Sequence, residues 1–273
     1  MKSTGKIAII GTGNIGKSIA NGLIESGEFT SENIILTRRK IHLLDSMKAQ
    51  GFRVSGDNNE AVRQAEIIII AVEPHQTDTV LKQISADLDP QKHILISVVT
   101  GVEIRQIAAI LGNKISIIRA MPNTAIAVRE SMTSLASNGA TKESIDRAKA
   151  IFDTVGKTLV INEENMTAAT ALGACGIAFF LRSIRAASQG GIEIGFHSED
   201  ALMIASQTAK GAASLLLVSG NHPEQEIDKV TTPKGCTIAG LNRMEHEGFS
   251  SAMIKGITVS ANIAAGLYVK DKD

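Results

Sequence analysis

The sequence predicts an α/β fold: an N-terminal Rossmann-type doubly wound parallel sheet over residues 1–160, followed by an all-helical domain over residues 161–273. The chain opens with an apolar run, Lys6-Ile7-Ala8-Ile9-Ile10, feeding directly into Gly11-Thr12-Gly13-Asn14-Ile15-Gly16. Strand-like and helix-like segments then alternate to about residue 160, as parallel strands with crossover helices do. Beyond that point strand-like runs vanish and long Ala-rich, Gly-spaced helical segments take over.

The opening run is the first strand, and a helix pattern follows it at once. Ile15, Ile19 and Leu23 recur at four-residue spacing, and Ala20 and Ile24 widen the stripe. The glycines thus lie between strand and helix, the context in which G-x-G-x-x-G binds a dinucleotide. Gly11 permits the tight turn, Gly13 lets a pyrophosphate approach the backbone, and Gly16 lets helix and strand pack closely; Thr12, Asn14 and Ile15 complete the loop.

The second strand, Asn33-Ile34-Ile35-Leu36, ends in Thr37-Arg38-Arg39-Lys40. An acid about twenty residues past the glycines would bind a free ribose 2′-hydroxyl. A hydroxyl and three cations stand there instead, and a guanidinium binds phosphate in a two-point fork. NADP(H) is therefore the expected cofactor, with NAD(H) second. Further strands are expected near 66–72, 93–98 and 115–119. Ile67 to Val72 is apolar on consecutive positions, as in a central strand covered on both faces. Parallel strands deliver their carboxyl ends to the ligand crevice, so Ala71, Val72 and Pro74, Val98 to Gly101, and Ala120 to Thr124 with Asn123 are expected to line the cofactor.

The helical domain divides into segments at roughly 163–172, 174–194, 198–219, 235–247 and 249–269. Ser198, Glu199 and Asp200 form an acidic helix start. Met253, Ile257, Ala261, Ala264 and Tyr268 make an apolar stripe, and the many small residues favour close helix approach. Both point to a homodimer or larger homo-oligomer.

Composition fits a metabolic enzyme. The 273 residues are 44% hydrophobic with net charge +0, enough for two cores and without the charge excess of a nucleic-acid or membrane-surface binder. Aromatics are 3% with no Trp, so base-stacking platforms are not expected. Cys175 and Cys236 show no metal-ligand or disulfide spacing, so no metal is expected and a reducing cytoplasm is. The first strand at Lys6 leaves no room for a signal peptide, and no apolar run reaches the length of a membrane span, Leu172 to Leu181 being broken by Arg182. His42, His93, His197 and His246 sit in polar contexts and read as solvated, while Glu163-Glu164 reads as favourable charge at a helix start.

The most informative stretch is Val230 to Leu241, containing Thr231-Thr232-Pro233-Lys234-Gly235-Cys236-Thr237, a loop running into a helix. Backbone N–H groups at a helix start lack carbonyl partners and, with the helix dipole, favour a carboxylate or phosphate. Pro233 fixes its φ and Gly235 permits close backbone approach.

Taken together, Gly11 to Gly16, Ala71-Val72-Glu73-Pro74, Met121-Pro122-Asn123-Thr124, Glu199 to Ala213, His222-Pro223 and Val230 to Leu241 resemble the pyrroline-5-carboxylate reductase family over nearly the full length. The resemblance implies reduction of a cyclic imine carboxylate to L-proline with NAD(P)H, and dimerisation through the helical domain. It assigns Thr232, Gly235, Cys236 and Thr237 to the substrate, with Thr237 as the catalytic residue donating to the ring nitrogen. It also places Asn58, Asn123 and Thr124 at the cofactor or the pocket wall.

Several positions depart from that pattern. Glu73 stands where Lys is usual, Ala125 replaces a Pro, Lys234 replaces a Gly, and Ala174 to Phe179 differs from the usual Gly-Ser-Gly-Pro-Ala-Tyr. Three alternatives stay open on these grounds: a paralogue acting on another small cyclic imine carboxylate, a β-hydroxyacid-type dehydrogenase using Lys210, and a non-catalytic NADP-sensing protein.

Overall fold

The computed structural model describes residues 5–267, so Tyr268 of the apolar stripe lies outside the described residues. β1 (Ile7–Ile10) leads into α1 (Asn14–Glu25), followed by β2 (Ile34–Thr37), α2 (Asp45–Ala49), β3 (Arg53–Ser55), α3 (Asn58–Gln64), β4 (Ile67–Ile70) and α4 (Thr77–Ile84). Then come β5 (Ile94–Ser97), α5 (Ile104–Leu111), β6 (Ser116–Met121), β7 (Ser131–Ser137), α6 (Lys142–Asp153) and β8 (Gly156–Val160). The strands form one sheet in the order β3-β2-β1-β4-β5-β6-β7-β8, parallel except where β7 runs against β6. The sheet's two faces carry separate cores, Ile7, Ile9, Ile34 and Leu36 on one and Ala8, Ile10, Ile35 and Ile68 on the other. That alternation follows from the two-residue period of a strand.

The chain folds into two compact units: one runs to Ala174 and takes up the chain again from Ala261, and the other is Cys175–Ser260. α7 (Met166–Ala169) passes through a π-helical turn (Thr170–Cys175) into α8 (Gly176–Glu193), so the break expected between 172 and 174 is a change of winding and not an interruption. α9 (Ser198–Ser219), α10 (Pro223–Val230), α11 (Cys236–His246) and α12 (Phe249–Leu267) follow. Within the second unit α9 packs on α8, where a Cβ added at Gly191 would sit 3.0 Å from the Ala201 Cβ. α12 also lies near α8, with Gly256 3.9 Å from the Phe179 ring by the same measure.

Three readings are corrected. His93 is buried and not solvated: it is 3% exposed, its Nδ1 accepts from Asp89 N–H at 2.8 Å, and burial holds its pKa below the ordinary 6.5. Glu163 does more than favour its own helix start, since its Oε1 pairs with buried Arg119 at 2.6 Å and accepts from Ile104 N–H at 3.1 Å, at the first residue of α5. Helices Glu163–Glu193 and Ser198–Ser219 are, by length and composition only, long and apolar enough to cross a membrane. Counting uncharged runs missed them, because a few charges interrupt an apolar average.

Candidate active site

β1, β2 and β4 pair in step, with Ile10 opposite both Thr37 and Ile70. Their carboxyl ends therefore deliver Gly11, Arg38 and Ala71 to one edge of the sheet. The chain moves outward from β1 through β2 to β3, then returns to place β4 on the other side of β1, so the strand order reverses at this edge. A ligand crevice is expected at such a reversal, and an open cleft of about 870 Å³ lies there. Among the residues expected to hold a dinucleotide, Gly11, Gly13, Thr37, Arg38, Arg39, Asn58, Ala71 and Val72 line it. Thr12, Asn14, Ile15, Gly16, Pro74 and Asn123 are not among its lining residues, nor are Val98 to Gly101 or Ala120 to Thr124.

The three loop glycines have distinct surroundings. Gly11 has φ +86° and an added Cβ would collide with the Val72 side chain and the Ala71 carbonyl, whereas Gly13 has nothing within 4 Å and faces open space. At Gly16 a Cβ would press on Ile9 at 3.1 Å, where α1 lies against β1. Thr12 is fully buried, its hydroxyl donating to Ile9 O at 3.2 Å and its N–H to Thr37 O at 2.9 Å. No side chain caps α1 and no acid occupies its first turn, which leaves the N–H groups of that turn and the positive end of the helix dipole to an anion. Arg38, Arg39 and Lys40 line the same crevice. An uncapped helix start with room at Gly13, in one cleft with three cations, suits a dinucleotide carrying a pyrophosphate and a further phosphate.

Asn58 opens α3 and bridges two other elements: the Thr37 hydroxyl donates to its Oδ1 at 2.6 Å, and its Nδ2 donates to Gln83 Oε1 at 2.9 Å. Asn123 has structural work, its Oδ1 accepting from Ala125 N–H at 3.0 Å and its Nδ2 donating to Gly173 O at 3.1 Å. The sequence reading missed the wall made by Gly56, His75, Gln76, Thr79, Val80 and Gln83. The one available signal was the position of α4 directly after the Ala71-Val72 strand end. Glu73 also lines the cleft; its side chain is 71% exposed and lies 3.6 Å from His75 Nε2, so water screens its charge.

The substrate-loop residues come together in the helical unit. Gly235 N–H donates to Thr232 O at 2.9 Å, closing a turn with Pro233 second and Lys234 third. Lys234 has φ +59°, the left-handed value that the third position of a type II turn requires. A Cβ at Gly235 would crowd the Thr232 hydroxyl at 2.5 Å and the Thr232 carbonyl oxygen at 3.0 Å, so a larger residue there would displace the Thr232 side chain. Gly235 then caps α11 with extended backbone, no side chain caps the helix and no acid lies in its first turn. Cys236 and Thr237 open the helix, Thr237 half-buried and Thr232 and Cys236 exposed. His222 caps α10 through Nδ1, which accepts from Glu224 N–H at 3.3 Å. No cluster of three or more His, Cys, Asp or Glu suited to a metal occurs among the described residues.

Residues 6–101 match the family model described as NADP oxidoreductase, coenzyme F420-dependent, and residues 163–267 match that of pyrroline-5-carboxylate reductase dimerisation. The chain is 51% identical over 276 residues to pyrroline-5-carboxylate reductase 1 of Dictyostelium discoideum, covering 97% of this chain and 50% of that protein, so it spans about half the length of that relative. It is 47% identical over 277 residues to pyrroline-5-carboxylate reductase 2 of the same organism, covering 96% of this chain and 92% of that one. The solved structure of a pyrroline-5-carboxylate reductase from Coxiella burnetii superposes with a TM-score of 0.93 at 30% identity, over 98% of this chain and 100% of that chain. The Plasmodium falciparum pyrroline carboxylate reductase with NADP bound does so with a TM-score of 0.87 at 25% identity, again over 98% and 100%.

Proposed function

Because the chain belongs to the pyrroline-5-carboxylate reductase family, we propose that it is an oxidoreductase reducing 1-pyrroline-5-carboxylate to L-proline, with NADPH preferred over NADH. The observation that carries this reading is the start of α11, uncapped, without an acid in its first turn and preceded by a tight turn packed closely on Thr232. The N–H groups of Cys236 and Thr237, at the first turn of α11, hold the substrate carboxylate there, with Gly235, whose own N–H closes the turn onto the Thr232 carbonyl, and the Thr232 hydroxyl beside them. The Thr237 hydroxyl donates to the ring nitrogen. Protonation at nitrogen makes the imine carbon more electrophilic, so the site needs a donor at that atom more than a strong base. The bound reduced nicotinamide supplies the hydride. What remains for the protein is positioning, to which most of the acceleration is assigned.

The glycine loop holds the pyrophosphate through the free N–H groups of the first turn of α1, with Gly11, Gly13, Ala71 and Val72 lining the cleft and Asn58 contacting the nucleotide. Arg38 and Arg39 hold the 2′-phosphate, which is the basis of the NADPH preference, while buried Thr37 sets the end of β2 from which they project and orients Asn58 through its hydroxyl. Asn123 acts on the pocket indirectly, through the loop it caps. We take residues 1–160 as the cofactor domain and 161–273 as the substrate and dimerisation domain, a functional division that follows the dimerisation model's start at residue 163 and not the packing boundaries at Ala174 and Ala261. A homodimer in the cytoplasm belongs to the same reading. The test is oxidation of NADPH, and separately NADH, by the purified chain with racemic pyrroline-5-carboxylate, assaying L-proline. Proline formation, faster with NADPH, is expected. NADPH binding without turnover would move the activity to another cyclic imine or to sensing.

A further inference from the structure

Gln83 lines the crevice from α4, outside both the glycine loop and the basic turn. It accepts from Asn58 Nδ2 at 2.9 Å, while Asn58 Oδ1 accepts the Thr37 hydroxyl proton at 2.6 Å. Thr37 gives this chain a rigid end: it is 1% exposed, and its carbonyl accepts from Gly11 and Thr12 N–H at 3.2 and 2.9 Å. A primary amide has an accepting end and a donating end, so one partner at each end fixes which way it faces. We propose that Gln83 is a positioning residue for nucleotide binding, holding the Asn58 amide so that its second N–H is available to a ribose or phosphate oxygen in the crevice. This rests on the dinucleotide reading above. The wall itself does not depend on the Gln83 side chain. Asn59 Nδ2 donates to the Gln83 carbonyl at 2.9 Å and to Asp87 Oδ2 at 2.6 Å, and Arg63 pairs with Asp87 at 3.2 Å, so α3 stays tied to α4 when that side chain is removed.

The experiment compares the full chain with Gln83→Ala, Gln83→Glu, Asn58→Ala and the Gln83→Ala/Asn58→Ala pair, by fluorescence titration of NADPH and NADH and by steady-state kinetics. Gln83→Ala should raise the Kd and KM for both nucleotides about three- to tenfold, with kcat and melting temperature retained, as expected for loss of one oriented polar contact. Gln83→Glu accepts from Asn58 Nδ2 in the same way and should recover NADH affinity, where no 2′-phosphate meets the added charge. The double variant should bind no more weakly than Asn58→Ala alone. Unchanged affinity in Gln83→Ala, failed recovery by Gln83→Glu, or multiplying effects in the pair would overturn the positioning role and leave the dinucleotide reading standing. Failure of the unaltered chain to bind either nucleotide would overturn both.

Discussion

Lys234 carries a conflict between local chemistry and the conformation the turn imposes. A residue with a Cβ in the left-handed region is strained by about 1–2 kcal/mol, and glycine avoids this at an entropic cost of about 0.5–1 kcal/mol in the unfolded chain. Lys234→Gly should therefore raise the unfolding free energy by up to about 1 kcal/mol, and Lys234→Val, whose β-branch suits φ +59° poorly, should lower it. Equal melting temperatures for the two variants would show that the turn does not demand this conformation. The ammonium has a separate effect at the exposed mouth of an anion site, where charge pairs contribute about 0.2–1 kcal/mol. Lys234→Gly and Lys234→Ala should then share a KM for the imine carboxylate raised by up to about fivefold, with kcat unchanged. A KM rise confined to one variant would trace the effect to backbone shape and not to charge.

At the level of elements, what was legible in the sequence was what is local. The strand–glycine–helix run and the cations at the end of β2 act through consecutive residues, and so does the uncapped start of α11. β7 was not legible, because Ser131–Ser137 alternates hydroxyls with few apolar residues and is a strand only through its neighbours β6 and β8. Gln83 and Thr79 belong to the crevice because α4 packs beside it, a relation that no spacing along the chain announces. The Arg119–Glu163 pair spans 44 positions and joins β6, the start of α5 and the approach to α7. Breaking a buried pair costs about 3–5 kcal/mol, and with Glu163 30% exposed and Arg119 keeping a further partner, Glu163→Gln should cost about 2–3 kcal/mol. Chemical denaturation would read that loss as a lower midpoint at unchanged slope. A loss under about 0.5 kcal/mol, the size of a surface pair, would show the ion pair to be dispensable.

For the whole molecule the question is what covers the helical unit. Phe180, Leu181, Met203, Leu217 and Val218 are 60%, 58%, 65%, 81% and 89% exposed in the single chain, far more apolar surface than a monomer in water carries singly. The same two helices satisfy the length and hydropathy of a membrane span, so composition alone leaves lipid and a second subunit as competing partners. The dimerisation model's match to residues 163–267 favours the subunit. Light scattering on the purified chain without detergent should then give at least twice its 28.8 kDa mass. Phe180→Glu with Met203→Glu, each about a quarter of the way along its helix, α8 and α9, should shift it towards the single-chain mass and lower the melting temperature, because a charge buried between subunits loses its water. A chain that stays monomeric and stable without detergent would remove the subunit as the cover. One that dissolves only in detergent micelles would replace it with lipid.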